Sequence, residues 1–440
     1  MKKILALLMA LCMVFALVAC GSSADSAPAA EEAPAAEEPA AAPAEESAEE
    51  PAAEAEEPAA EEPVEEAPAA EAADVKVGFI YLHDEQSTYD LNFMNAAKEA
   101  CEAMGIEYVQ KVGIPEGQEC YEAALDLVDE GCNIIFADSF GHEDYMIQAA
   151  KECPEVEFCH ATGTKAHTEG LANYHNAFAS IYEGRYLAGI AAGMKVKEMI
   201  DNGEITADQA KIGYVGAFTY AEVISGYTSF FLGLRSIVPE ATMEVTFTGS
   251  WYDMALETEG AQKLIDDGCV LISQHADSLG APSACEAAGV PNVSYNGSTI
   301  DAGPNTFIIS SRINWAPYFE YMITCVQNGE PIDADWTGDL STSSVELTDV
   351  NGAVAAEGTA EAIAEAMAAL EAGTLHVFDT ATFTVDGEQL DSYLADVDTD
   401  PDYTPDTEVI ADGYFHESEY RSAPYFDIQI DGIELLDVAF

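Results

Sequence analysis

Six short runs of the chain set an aromatic or imidazole ring beside a carboxylate or amide. They are Ser87-Thr88-Tyr89-Asp90, Asp138-Ser139-Phe140, Tyr220-Ala221-Glu222, Trp251-Tyr252-Asp253, His275-Ala276-Asp277 and Asn314-Trp315. Rings offer faces for stacking, while carboxylates and amides accept or donate around an edge, so the combination suits a flat, neutral, hydrogen-bonding ligand. Signatures of catalysis are missing. The chain has no Gly-x4-Gly-Lys-Ser/Thr, His-Glu-x-x-His, Gly-x-Ser-x-Gly or Gly-x-Gly-x-x-Gly. With 81 Asp+Glu present, paired carboxylates identify nothing. The run Asp396-x-Asp398-x-Asp400-x-Asp402 starts like a calcium loop, but Pro401 stands where glycine is required and Thr407 where a bidentate Glu belongs. Binding without a metal or cofactor is the expectation.

Each run sits where an alternating pattern places it. Val75–Tyr81, 107–112, 133–137 and 156–160 are short apolar runs that read as strands, and 92–104, 116–130 and 142–152 carry apolar residues at helical spacing. The rhythm resumes with helix 180–199 and continues through strands 211–217, 242–248, 269–274 and 292–295. Strands of this kind separated by helices predict an α/β fold with parallel sheets covered on both faces. There are too many for one doubly wound sheet, so two Rossmann-like lobes are expected: 74–178 with 307–390 as the first, 179–306 as the second. Ligands of such sheets lie beyond the carboxyl ends of strands, where these runs fall.

The formal net charge is −66, with 17 acidic and no basic residues in 21–73. Polyphosphate is repelled by such a chain, which excludes nucleic acid as a partner. Lys2 and Lys3 precede the apolar stretch 4–18, which is short for a membrane span and right for a signal-peptide core. Leu17-Val18-Ala19-Cys20 ends it, so residues 1–19 are expected to be removed and Cys20 lipidated, anchoring an extracytoplasmic body to the cell membrane. Residues 24–73 are almost wholly Ala, Glu, Pro and Ser and are expected to be a solvated stalk. Beyond Cys12 and Cys20, eight cysteines remain without C-x-x-C spacing, and their redox state stays open.

Plainer uses exist for the same residues. Asp138 and Asp277 could cap helices, Tyr220 and Glu222 stand where a helix opens, and Trp251 and His275 could be core. The segments 75–93, 133–141, 213–233, 249–278 and 306–319 together resemble the basic membrane protein (BMP) family of purine nucleoside- and nucleobase-binding lipoproteins that serve ABC importers. Ser87-Thr88-Tyr89-Asp90, Trp251, Gln-His-Ala-Asp-Ser at 274–278 and Asn314-Trp315 look like the branch that binds free bases. The resemblance implies a type I periplasmic-binding-protein-like fold whose lobes close on a hinge. It further implies Trp251 and Tyr89 stacking on a base, Asp138 and Asp277 bonding its edge or a ribose, and Asn314 near the hinge. Ser139, Tyr220, Glu222, His275 and Trp315 complete the expected ligand set, with ABC permease subunits as partners. Where nucleoside binders carry an Asp-x-Ser-Phe-Asn type of run, this chain has Ser-Thr-Tyr-Asp, so nucleoside against base stays open. Sugar binding, a sensor subunit and an exported nucleoside hydrolase are the alternatives. Residues 391–440 exceed the family pattern and receive no role.

Overall fold

The computed structural model describes residues 74–397 and 404–440. The expected signal, Cys20, the stalk and Asp398, Asp400 and Asp402 of the calcium-like run lie outside the described residues. In chain order the first part holds β1 (Lys76–Ile80), α1 (Thr88–Met104), β2 (Glu107–Lys111), α2 (Gln118–Asp129), β3 (Ile134–Ala137), α3 (Glu143–Glu152), β4 (Glu157–Ala161), α4 (Ala166–Glu169) and β5 (Tyr174–Ala179). The second part holds α5 (Ile181–Asp201), β6 (Lys211–Gly216), α6 (Ala221–Arg235), β7 (Thr242–Phe247), α7 (Met254–Asp266), β8 (Leu271–Gln274), α8 (Gly280–Ala288), β9 (Asn292–Tyr295) and β10 (Phe307–Ile313). Then come α9 (Ala316–Asn328), β11 (Asp335–Gly338), β12 (Val345–Leu347) and α10 (Thr359–Glu371). The C-terminal part adds the two-residue strands β13 (Leu394–Ala395), β14 (Thr407–Glu408), β15 (Ile410–Ala411) and β16 (Tyr414–Phe415), and finally β17 (Ile433–Leu435).

The strands form two large sheets, in the orders β2-β1-β3-β4-β5-β11 and β17-β7-β6-β8-β9-β10-β12. Within these two sheets only the β10–β12 pair is antiparallel; β13 with β14 and β15 with β16 form separate two-stranded antiparallel ladders. Every residue of β3, β5 and β8 is buried, as expected of strands with helices on both faces. The two halves repeat one winding. In each, the first strand is flanked by the second on one side and the third on the other, so the order reverses between β1 and β3 and again between β6 and β8. Such a reversal opens a crevice beyond the carboxyl ends of the two strands.

Local sequence explains the helices that face this crevice. Ser87 caps α1 by accepting from Asp90 N at 3.2 Å, and α1 ends at Gly105, whose φ of 71° lets Ile106 N reach Cys101 O at 2.8 Å. Asp253 caps α7 through Ala255 N and Leu256 N, both at 2.9 Å. Glycine sets the spacing of α5 and α6: a Cβ on Gly189 would stand 2.0 Å from Phe230 O, and one on Gly233 2.0 Å from Tyr186 O.

The chain crosses between lobes three times, at 179–181, 313–316 and 338–345. The crossovers brace one another, with Ser180 N donating to Gly338 O and Asn314 N to Ser344 O, both at 2.8 Å. One expectation is corrected here. Phe307–Ile313 does not return the chain to the first lobe: it pairs parallel to β9 and extends the second sheet. Only 316–338 rejoins the first lobe, where α9 packs on α1. After β12 the chain stays with the second lobe: α10 lies on α5, and β17 adds a parallel strand beside β7. An apolar run fixes that a strand is buried and leaves open which sheet it joins. All eight cysteines among the described residues are free. Burial pushes the thiols of Cys101, Cys159, Cys269 and Cys285 up to about 12, so they behave as small apolar side chains.

Candidate functional site

The two crevices face each other across a narrow cavity. The first lobe contributes Leu82, His83, Tyr89, Asp90, Ser139, Phe140 and Thr162; the second contributes Glu222, Trp251, His275, Asp277 and Tyr295. The lobes touch around its rim. Thr88 N and Thr88 Oγ1 both donate to Asp277 O, at 2.9 and 3.0 Å. Phe140 meets Tyr220 with ring centroids 5.3 Å apart, and His83 meets Tyr252 at 5.5 Å.

The rings are held by their neighbours. Tyr89 packs edge-on to Phe93 at 4.8 Å and donates its hydroxyl to Asp138 O at 2.7 Å. Trp251 lies on a turn that starts at Gly249 (φ 70°) and is tied by Thr248 Oγ1 donating to Ser250 O at 2.7 Å. Its indole meets Phe218 edge-on at 5.0 Å, and its carbonyl accepts from Asp277 N at 3.0 Å. Stacking walls therefore come from opposite lobes.

The polar groups divide by charge. Burial would raise the Asp90 carboxyl, but side-chain hydrogen bonds from His83 and Ser87 hold it below the usual range; its oxygens lie 2.7 Å from His83 N and 3.3 Å from His83 Nδ1. Asp138 is pushed well above that range, first by burial and then by Asp90, so one negative charge serves the pair. Its Oδ1 accepts from Leu82 N at 3.1 Å. Asp277 is likewise pushed well up, by burial and then by Asp90, Glu257 and Glu222, while its Oδ1 accepts from Asn296 Nδ2 at 3.0 Å. Burial lowers His275 and keeps it neutral. Its Nδ1 lies 3.2 Å from Arg185 Nη2, and a guanidinium has only donors, so Nδ1 accepts and the ring proton sits on Nε2, 3.4 Å from Glu222 Oε1. Arg185 stays behind His275, fully buried, bonded to Gln274 O at 3.1 Å and stacked 4.0 Å over Tyr295. The cavity wall thus presents aromatic faces, acceptors and neutral donors, and no Lys or Arg.

Residues 80–372 match the family described as ABC transporter substrate-binding protein, PnrA-like. The chain belongs to this family. PnrA-like proteins are extracytoplasmic solute-binding components of ABC transporters and not enzymes. A purine-binding protein of Brucella abortus (strain 2308) is 33% identical over 257 residues, 57% of this chain and 69% of that one. A protein of Haloferax volcanii that carries a provisional ABC transporter glucose-binding name is 31% identical over 60% of this chain and 61% of its own. In fold, this PnrA-like chain is similar to an ABC transporter solute-binding protein from Conexibacter woesei DSM 14684, with a TM-score of 0.55, 21% identity and coverage of 69% and 98% of the two chains. No helix among the described residues is long and apolar enough to cross a membrane.

Of the residues singled out by sequence, Tyr89, Asp90, Ser139, Glu222, Trp251, His275 and Asp277 line the cavity of this PnrA-like protein. Ser87, Thr88, Asp138 and Tyr220 stand one layer out, as cap, lobe bridge, support of Tyr89 and partner of Phe140. Neither aspartate caps a helix: the N-cap of α8 is Leu279 and the turn after Ser139 has no side-chain cap. Asn314 and Trp315 do not reach the cavity. Trp315 is 1% exposed and stacks on Phe93 at 4.5 Å inside the first-lobe core. Asn314 braces a crossover by donating to Ser343 O at 3.2 Å. Leu82, His83, Phe140, Thr162 and Tyr295 join the site without having been assigned to it. Thr162 and Tyr295 sit at the carboxyl ends of β4 and β9, so the strand-end rule carried the signal for both.

Proposed function

We propose that this protein captures a purine, as free base or nucleoside, between its lobes and hands it to an ABC permease. The observation that carries the reading is the pairing of Tyr89 and Trp251, from opposite lobes, on one cavity together with Asp90, Glu222 and Asp277. A purine has two π faces, N–H donors and ring-nitrogen acceptors, which match the stacking walls, the Asp90 carboxylate and the protonated Asp277 carboxyl. The name of the Brucella relative, purine-binding protein, supports the same ligand class. The Haloferax relative's name favours glucose as the second reading. Calorimetric titration with hypoxanthine, guanine, adenine, their nucleosides and glucose tests the choice. Purine binding with glucose inert is expected, and the reverse overturns it. We further propose that Cys20 carries the lipid anchor, so that Cys20→Ser releases the protein from the membrane fraction.

A further inference from the structure

Residues 373–440 lie beyond the family match, and the described ones among them touch both lobes. Their root is in the second lobe. There β17 pairs with β7, Phe426, Ile428 and Ile430 are buried in the core, and Thr219 N donates to Ala439 O at 2.7 Å. From this root the stretch 416–427 reaches the first lobe beside the third crossover. Ser422 N donates to Asp335 Oδ2 at 2.8 Å, and Thr337 Oγ1 to Ser418 O at 3.5 Å. Arg421 stiffens the reaching loop through Asp396 O at 3.0 Å and Ala423 O at 3.2 Å. The same loop walls an outer chamber that shares Phe140, Thr162 and Glu222 with the ligand cavity. A lobe rotation that displaces Asp335 and Thr337 from 416–427 breaks these contacts.

We infer that this C-terminal segment is a strap: it ties the second lobe to β11 and resists opening of the cleft. Breaking its first-lobe contacts is a cost borne by the open state alone, so the strap raises the closed population whatever the ligand. The test uses the ligand-free chain carrying Cys153→Ser, with spin labels at Glu99→Cys on the first lobe and Glu259→Cys on the second, both exposed positions. Asp335→Ala with Thr337→Val removes both contacts, and the open fraction in the measured distance distribution is expected to rise roughly five- to tenfold. Hypoxanthine dissociation, followed by stopped flow, is expected to quicken by a similar factor. Because the distance measurement contains no ligand, it decides the strap even if purine is the wrong solute. An unchanged distance distribution together with a lowered melting temperature overturns the inference and leaves the segment a packing element. Should the β11 variants fail to fold, Arg421→Met loosens the loop from the strap side, and the same two outcomes decide.

Discussion

Replacing Trp251 with alanine tests the stacking wall directly. The indole contacts Phe218 and Tyr220 on its own lobe and is only partly buried, so its loss leaves the fold intact and strips one face of the cavity. Stacking of a base on an aromatic side chain contributes about 1–3 kcal/mol by alanine substitution. The middle of that range, about 2 kcal/mol, corresponds to roughly a 30-fold rise in Kd at 1.4 kcal/mol per decade. Trp251→Phe keeps a smaller face and should lose only a few-fold. Titration calorimetry with a purine measures both, and intrinsic fluorescence supplies a second reading. Of the three tryptophans, Trp315 is sealed in the core and Trp336 packs on Tyr318 and Tyr321, so a ligand-induced change should vanish in Trp251→Phe. A Kd for Trp251→Ala within threefold of the parent, with an unchanged melting temperature, refutes the stacking argument.

Three further outcomes follow from the same geometry. Because Asp277 is held neutral, Asp277→Asn should bind purine within a few-fold of the parent while Asp277→Ala loses about tenfold or more; equal losses in a titration at pH 6 would mean that charge matters instead. Burial pushes Glu183, Glu257 and Glu417 up to about 7, so their contribution to stability is full below the ordinary carboxylate value and is lost as pH rises through about 7. His142 and His160, lowered by burial to about 4, act oppositely, full above their ordinary value and lost as pH falls toward 4. With the raised carboxyls outnumbering the lowered imidazoles, unfolding free energy is expected to fall from pH 5.5 to 8, measurable by urea titration and contradicted by a flat or rising profile. Gly189→Ala drives a Cβ onto Phe230 O between α5 and α6, and should cost about 1–3 kcal/mol in the same assay; no loss would show that the helices part freely.

The local pattern was readable because it is local. Ser87 ahead of α1, Gly105 behind it and the fully apolar β3 each declare themselves within a few residues. Strand partners do not, which is why Phe307–Ile313 was expected in the first lobe although it pairs with β9. Asn314-Trp315 looked like a site pair from residue types alone. It follows β10, which lies two strands from β8 and the reversal in the second sheet, and its indole fills space among Phe93, Phe136 and Phe319. The runs after β1, β3, β6 and β8, which flank the reversals, supply most of the cavity. The C-terminal segment gave no signal, since its strands are mostly two residues long and its buried Phe415, Phe426, Ile428 and Ile430 follow no single period.

Taken alone, a net charge of −66 favours a cationic solute, and the site shows why composition is a poor guide to it. Of the buried aspartates near the cavity, Asp138 and Asp277 keep their protons and only Asp90 is held ionised, by His83 and Ser87. His275 is neutral, and Arg185 is spent behind it on Gln274, Tyr214 and the Tyr295 ring. The surface charge therefore excludes anions at long range, while the cavity holds fewer charges than its carboxyl groups alone suggest and is rich in aromatic faces and hydrogen-bonding edges. A small dication would find Asp90 and Glu222 without the fully ionised oxygen cage such ions require. An uncharged heterocycle meets faces that stack on it, the Asp90 carboxylate as an acceptor and the protonated Asp277 carboxyl as a donor, so closing the lobes on it buries no further charge.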